Sequence, residues 1–122
     1  MYEYRAKLIR ILDGDTIDAE IDLGFNVWIK ERIRMYGINT PESRTKDAEE
    51  KIKGLAAKAR LNELLEQYAE DGFILRSHLG DKKGKFGRIL GEIIIKEVSG
   101  EINLNQTLIE EGHAVPYFGG KR

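Results

Sequence analysis

The run Thr16-Ile17-Asp18-Ala19-Glu20-Ile21-Asp22-Leu23 decides the fold class. From Ile17 onward apolar and acidic side chains alternate, which is the period of a β-strand with one face in a core and the other in water. The predicted core face consists of Ile17, Ala19, Ile21 and Leu23. A half-buried strand of this kind predicts an antiparallel sheet with one wet face.

Strand-like runs lie on both sides of this stretch, at Arg5–Leu12 and Val27–Tyr36. The turn sequences Asp13-Gly14-Asp15 and Gly24-Phe25-Asn26 separate the three runs, so a meander of three antiparallel strands is predicted. In the third run one predicted face carries Val27, Ile29, Ile33 and Met35, and the other carries Lys30, Arg32 and Arg34. Arg34 is therefore predicted to face a ligand rather than the core. Trp28 is compatible with packing or with stacking on a ligand.

A helix is predicted from about Asp47 to Tyr68, where apolar residues recur every three or four positions. Asp47 and Glu50 have the spacing of a capping box. Because a glycine inside a helix costs about 1 kcal/mol, the alternative is a helix that becomes stable only from Gly54 onward.

The rest of the chain predicts two more strands and a closing helix. The strands are Phe73–Leu75 and Ile89–Lys96, and the helix is Leu104–Glu111, with Asn103 as N-cap and Gly112 as the residue after its end. We therefore expect one domain over residues 1–122 of the mainly β, α+β class: a five-stranded Greek-key barrel of the OB type with two helices.

The composition excludes several classes of protein. The chain of 122 residues has no cysteine, so disulfides and thiolate metal sites are ruled out. No apolar run is long enough for a membrane span or a signal peptide, which predicts no membrane partner and a protein that is intracellular or a mature secreted form. The net charge is −1, so any affinity for nucleic acid has to come from a local patch. Zinc is not expected, because His78 and His113 are isolated from one another.

Acids and arginines occur at separate loop-end positions of the predicted barrel. Asp15 lies in the first turn, Arg34 near the end of the third strand, and Glu42 after the rigid Thr40-Pro41 pair. A carboxylate binds a hard cation or handles a water molecule, and a guanidinium holds two phosphate oxygens. Each residue alone also fits an ordinary turn, a solvated surface or a helix start. Together they are the groups that phosphodiester hydrolysis uses.

The segment Lys82–Arg88 places four cations within seven residues, with two glycines and one aromatic residue between them. Such a segment fits contact with a phosphate backbone and stacking on a base. A solvated lysine-rich hairpin has the same composition, and the segment alone does not choose between them.

The motifs Ile11-Leu12-Asp13-Gly14-Asp15-Thr16, Ile33 to Glu42, Lys85-Phe86-Gly87-Arg88 and Asn105 to Gly112 with Ala114 occur in this order. In order and spacing they resemble the staphylococcal nuclease (thermonuclease) family over nearly the whole chain. The resemblance implies an OB-type barrel and calcium-dependent hydrolysis of DNA and RNA that leaves a 3′-phosphate and a 5′-hydroxyl.

The resemblance also implies residue roles. Asp15 would be the metal carboxylate, Thr40 would offer its carbonyl to a single Ca²⁺, and Glu42 would handle the attacking water. Arg34 and Arg88 would hold the phosphate from two sides. Lys85, Phe86 and Tyr117 would contact the substrate, and Asp13 would lie behind the metal ligands.

Three departures from the family pattern stand out. Asn39 occupies the place of a second metal aspartate, so weaker calcium binding or a changed metal preference is expected. Phe86 replaces a tyrosine, which removes a hydroxyl that could bind phosphate. The aromatic contact after the last helix is supplied only approximately, by Tyr117 or Phe118, and the family's additional C-terminal helix is expected to be absent.

Two alternatives to an active nuclease are a barrel that binds single-stranded nucleic acid or a protein without cleaving, and a structural OB domain that recognises peptide or tRNA. The presence of Asp15, Arg34, Glu42 and Arg88 together favours cleavage, while Asn39 favours a weakened enzyme. The expected partner is DNA or RNA, with single strands favoured, and the expected state is a monomer.

Overall fold

The computed structural model describes residues 2–78 and 89–118. Their elements, in chain order, are β1 (Glu3–Asp13), β2 (Thr16–Asp22), β3 (Trp28–Met35), β4 (Ile38–Asn39), α1 (Ala48–Tyr68), β5 (Phe73–His78), β6 (Ile89–Glu97), β7 (Gly100–Asn103), α2 (Leu104–Glu110) and β8 (Val115–Pro116).

Five strands form a closed barrel. The strand order of the sheet is β3-β2-β1-β5-β6-β7. Parallel pairing of β3 with β6 closes the first five of these strands into the barrel, with Ile33 opposite Ile89 and Met35 opposite Gly91, and β7 extends the sheet beyond β6. The other ladders of this sheet are antiparallel. The predicted OB-type barrel with two helices is confirmed.

The core fills the barrel and extends beneath both helices. Its largest fully buried side chains from the strands include Ile17, Ile33 and Ile93, and those from the helices include Leu61 and Leu108. Two apolar residues predicted on core faces lie outside the core. Leu23 and Val27 are 45% and 49% exposed because β2 ends at Asp22 and β3 begins at Trp28, which leaves both residues in the hairpin connection.

Helix α1 begins at Ala48 and runs through Gly54, so the alternative start at Gly54 is wrong. Asp47 is the N-cap and accepts hydrogen bonds from the amides of Glu49 and Glu50. The predicted capping box is not completed, because the Glu50 carboxylate accepts the amide of Glu42 instead, at 3.1 Å. The Glu50 side chain, which the local sequence predicts in the helix cap, therefore binds the Glu42 backbone instead.

Helix α2 begins and ends as its caps predict. Asn103 accepts the amides of Asn105 and Gln106, and Gly112, just beyond the C-cap residue Glu111, has a φ of +82°. That left-handed conformation favours glycine. Asn103, the last residue of β7, thus fixes the point at which α2 begins.

Three short strands were not predicted. Strands β4 and β8 pair with each other, and β7 pairs with the second half of β6. Runs of two to four residues carry too little alternation to identify from a sequence. The β4–β8 pair matters for the site, because it fixes Asn39 against the chain segment that follows α2.

Asn105 bonds the two strands that close the barrel. Its side chain is 1% exposed; the amide donates to the carbonyls of Tyr36 and Gly91 at 2.8 and 3.3 Å, and its oxygen accepts the amide of Ile93 at 3.1 Å. Three backbone groups at the end of β3 and in β6 are therefore satisfied by one side chain.

We predict that Asn105→Ala lowers the free energy of unfolding by about 2 to 4 kcal/mol, because it leaves buried backbone groups without partners. Urea denaturation measures the change. The matched control is Asn62→Ala, which removes a surface amide bonded to Glu66. Equal stability of the two variants would contradict a bonding role for Asn105 in barrel closure.

Candidate active site

The β1–β2 turn supplies two aspartates that face the segment after β4. Asp15 is 7% exposed and accepts the Thr16 hydroxyl at 2.9 Å on one carboxylate oxygen and the Thr40 amide at 3.0 Å on the other. Asp13 accepts both the amide and the hydroxyl of Ser43. Asp15 is thus turned onto the neighbouring segment rather than projecting from the barrel end.

These bonds hold the segment from Thr40 to Ser43 at both of its ends. Glu42 lies between the two anchored residues, and its own side chain is exposed. The backbone that carries Glu42 is therefore fixed beside Asp15, while the residue itself is exposed. A carboxylate in this position has access to water at the mouth of the site.

Helix α1 holds the same segment from behind. The Glu42 amide donates to Glu50, and the backbone of Glu42 and Ser43 lies directly against Gly54. A Cβ added at Gly54 would stand 2.3 Å from the Glu42 carbonyl oxygen and 2.7 Å from the Ser43 nitrogen. No other residue type fits there without moving the chain that carries Glu42.

The turn between β1 and β2 is packed against α1 in the same way. A Cβ at Gly14 would lie 2.7 Å from the Cβ of Ala57 and 3.1 Å from the methyl carbon of Thr40. One helix face, presenting Gly54 and Ala57, therefore sets the position of both halves of the site.

Arg34 lies over the oxygen atoms of this cluster. Its Nη2 is 3.5 Å from the Asp15 carboxylate and donates to the Asn39 amide oxygen at 3.3 Å, while Nη1 donates to the Met35 carbonyl at 3.0 Å. The side chain is 13% exposed. The guanidinium is thereby oriented by contacts on both of its terminal nitrogens.

Tyr117 completes the described part of the cluster. Its amide donates to the Gly37 carbonyl at 2.9 Å, and the Arg34 guanidinium carbon lies 5.9 Å from the centre of its ring. Phe118 instead packs edge-on against Tyr36, with ring centres 5.6 Å apart. Of the two aromatic candidates, Tyr117 is the one beside the arginine.

The donor atoms suit a hard cation, although they carry little charge. Asp15 and Asn39 present oxygens to the same guanidinium, and Thr40 adds a buried hydroxyl that has no hydrogen-bond partner among the described residues. Within residues 2–78 and 89–118, no group of three or more His, Cys, Asp or Glu is placed to hold a metal ion. A cation here would depend on one carboxylate together with neutral oxygens, which favours weak binding.

The predicted residues Lys85, Phe86 and Arg88 lie outside the described residues. The others lie in one region: Asp13, Asp15, Arg34, Asn39, Thr40, Glu42 and Tyr117. His78 stacks on Tyr36 with ring centres 3.7 Å apart and contacts Glu92 at 2.8 Å.

Sequence reasoning did not identify Ser43, Glu50 and Gly54 as parts of the site. Ser43 carries no local signal, because its partner Asp13 lies 30 residues away along the chain. The local signal of Glu50 indicates a helix cap and not its contact with Glu42. Gly54 does carry one, since a glycine inside a strongly predicted helix has a packing or functional reason when it is not a cap. Its energetic cost is offset by the close approach of the Glu42 backbone.

The fold and the site together define the class of protein: a closed OB-type barrel with acids, an amide and an arginine gathered at the β1–β2 turn. The family model described as staphylococcal nuclease homologue matches residues 32–122, and the chain belongs to this family.

Two curated relatives match almost the whole chain. An uncharacterized protein of Methanocaldococcus jannaschii, MJ1439, is 28% identical over 94% of this chain and 60% of its own length. Protein ParB of Escherichia coli is 30% identical over 98% of this chain and 61% of its own. The chain thus spans about three fifths of the length of these relatives.

We predict that Gly54→Ala destabilises the protein by about 1 to 3 kcal/mol, although glycine to alanine inside a helix normally stabilises by about 1 kcal/mol. The reason is the clash of the new methyl group with the backbone of Glu42. Urea denaturation tests the sign of the change, with the neighbouring exposed position as control in Lys53→Ala. A more stable Gly54→Ala protein would show that α1 does not hold this segment.

Proposed function

We propose that this chain is a phosphodiesterase that hydrolyses DNA or RNA with little sequence preference, with the help of one Ca²⁺, leaving a 3′-phosphate and a 5′-hydroxyl. The observation that carries the proposal is the joining of Asp15, Arg34 and the Glu42 segment by direct contacts, although the three are far apart in sequence. Membership of the nuclease family supports the same reaction class.

Glu42 is proposed to orient and deprotonate the attacking water. The residue is exposed, while its backbone is held by Glu50, Gly54 and the anchored Ser43. A general base needs this combination of access to water and a fixed position, because a misplacement of about 1 Å costs on the order of a hundredfold in rate.

Arg34 is proposed to hold the phosphate as negative charge develops on its oxygens. The guanidinium presents a rigid fork of donors suited to two phosphate oxygens. Its contacts with Asp15 and Asn39 keep it in the site before substrate arrives. Substrate phosphate would compete with those two oxygens for the same donors. Arg88 is proposed as the second arginine of the phosphate site.

Asp15, Asn39 and the Thr40 carbonyl would hold the cation. When bound, it would polarise a phosphate oxygen and lower the pKa of water. Little sequence preference is expected, because these groups contact the sugar–phosphate backbone rather than base edges.

A non-cleaving binding module is the second candidate function. The observation that favours it is Asn39, a neutral residue that already accepts a hydrogen bond from Arg34. If the cation binds too weakly, the same cluster would hold a phosphate without hydrolysing the ester.

We predict that cleavage of single-stranded DNA or RNA requires Ca²⁺ and is abolished by chelator. Arg34→Ala and Glu42→Ala should each lower the rate by about 10² to 10⁴, the range for loss of a charge-stabilising donor or a general base. Product formation on gels, compared across calcium, magnesium and chelator, measures this.

The matched control is Glu49→Ala, which removes an exposed acid of the first turn of α1. It should cleave as the unaltered protein does, and circular dichroism should show all variants folded. Tight binding of substrate without cleavage under every metal would replace the nuclease with the binding module.

We also predict that Asn39→Asp raises calcium affinity by about tenfold, because charged ligands set the affinity of oxygen sites. Calorimetry on the protein alone measures binding without relying on catalysis. Asn62→Asp adds the same charge on the exposed surface of α1 and is the control. If both variants bind calcium equally well, the neutral residue at position 39 does not limit the site.

A further inference from the structure

The outward face of β3 leads away from the candidate site. Along this strand Trp28, Lys30, Arg32 and Arg34 share one face, with the first three exposed and Arg34 half-buried. On the other face Ile33 and Met35 are buried, and Ile29 and Glu31 are half-buried. Six residue steps of roughly 3.4 Å separate Trp28 from Arg34 by about 20 Å. We call the four outward side chains the β3 outer face; it begins in the site at Arg34 and ends at the β2–β3 hairpin.

The acids of β2 do not cancel the positive charge of this face, because each of the first two lies between two cations. Asp18 is paired with Arg32 on one side and Arg10 on the other, both at 2.8 Å. Hydrogen bonding from Arg32 lowers the pKa of Asp18, so the acid stays ionised. The row formed by Arg10, Asp18 and Arg32 across β1, β2 and β3 therefore carries a net charge of about +1.

The next row has the same order of charges. Glu20 is in register with Lys30 of β3 and with Lys7 of β1. Over these two rows four cations outnumber two acids, so the surface between Arg34 and Lys30 is locally basic, although the whole chain has a net charge of −1. The third acid, Asp22, lies at the far end, in register with Trp28. A local basic patch is what affinity for a polyanion requires in a chain of this composition.

The far end of the face is aromatic. Trp28 is 38% exposed, and the ammonium of Lys7 lies 5.2 Å from its ring centre. Phe25, in the adjacent hairpin, is fully exposed at a φ of +53°. An aromatic residue in this backbone region is strained by about 1 to 3 kcal/mol, and such strain is concentrated at functional positions.

A cavity of about 390 Å³ opens at this end of the barrel. Trp28, Tyr68 and Phe73 supply apolar walls. The charged lining consists of three cations, Arg5, Lys7 and Lys96, and two acids, Asp22 and Asp71, so the cations are in excess. A pocket that combines flat apolar walls with cations suits a base and its attached phosphate.

We propose that the β3 outer face binds the part of a single-stranded nucleic acid that extends beyond the cleavage site, with phosphates along Arg32 and Lys30 and bases stacked on Trp28 and Phe25. The proposal rests on the proposed function, because it takes the nucleic acid to extend outward from the cleavage site. Cations in register with each other and aromatics at the end form the arrangement that binds single strands without reading sequence. The hairpin also exposes the apolar side chains of Leu23 and Val27, but the cations along Lys30 and Arg32 favour a polyanion over an apolar protein partner.

Because the surface is extended, the affinity for a single-stranded nucleic acid should depend on the length of that strand. A dinucleotide fills only the region of Arg34, whereas a strand of about 12 nucleotides is long enough to reach Trp28 across about 20 Å. Affinity should rise with length until this distance is covered and then level off.

Trp28 is the only tryptophan in the sequence, so its fluorescence reports directly on this surface. The experiment titrates the unaltered protein in chelator, where no cleavage takes place, with a dinucleotide, a single-stranded DNA of about 12 nucleotides and a duplex of the same length. We expect saturable quenching by the single strand only, weakened at physiological compared with low ionic strength.

Two variants and two matched controls test the residues. Lys30→Glu and Phe25→Ser should each weaken binding of the longer strand at least about fivefold, the scale of one lost stacking or phosphate contact. Lys51→Glu and Ile52→Ser alter exposed side chains near the start of α1, on an element that does not belong to this face, and should leave binding unchanged.

Absence of quenching by the longer strand would overturn the proposal, as would an equal response to the duplex or equal weakening by Lys30→Glu and Lys51→Glu. Failure of the proposed function gives a different result. A protein that shows length-dependent quenching but never cleaves retains this surface and loses the nuclease. One that cleaves dinucleotide and longer strands with equal efficiency, without quenching, retains the nuclease and loses this surface.

Discussion

The candidate site depends on one set of contacts, the hydrogen bonds between the β1–β2 turn and the segment that follows β4. The amides of Thr40 and Ser43 donate to Asp15 and Asp13, so a loop without secondary structure of its own is held at two points. Buried carboxylates need such donors, because a charged group removed from water is stable only when its oxygens are bonded. The same bonds that satisfy the aspartates therefore place Glu42.

Helix α1 makes these contacts possible, and its sequence reflects this role. Gly54 is unfavourable for the helix taken alone, yet the Glu42 backbone occupies the space that a side chain would need. Glu50 gives up its role in the helix cap and bonds the same segment. Local helix stability is thus reduced at two positions where the helix meets the loop. Local rules are commonly broken in this way near functional sites.

Much of the fold was predictable from local patterns, because alternation and helical periodicity record which face of an element is buried. The strand Thr16–Leu23 and the helix from Asp47 were recognised in this way, with errors at their ends. Leu23 and Val27 share the apolar character of the core but lie in the hairpin, where the barrel no longer covers them. Alternation of apolar and polar residues shows which face of a strand is buried, but it does not show where the neighbouring strand ends.

The site was predictable in its residue types and less so in its geometry. Asp15 and Arg34 were predictable only in combination, because acids and arginines at several loop ends together are the groups that phosphodiester hydrolysis uses. The family resemblance added Thr40 and Asn39. The anchoring of Glu42 through Ser43 and Glu50 was not predictable, since neither residue has a neighbour in sequence that reveals its partner. Arg34 in contact with both Asp15 and Asn39 likewise follows only from the folded chain.

By itself the sequence determined the class of the elements, the family and the chemical groups available, because periodicity, capping and motif order are properties of neighbouring residues. Only the tertiary structure decided that Gly54 has to be a glycine and that Glu50 bonds Glu42. It also decided that Arg10 of β1 and Arg32 of β3 lie on either side of Asp18. The physical reason is that these are distances between segments separated along the chain, and the closure of the barrel sets those distances.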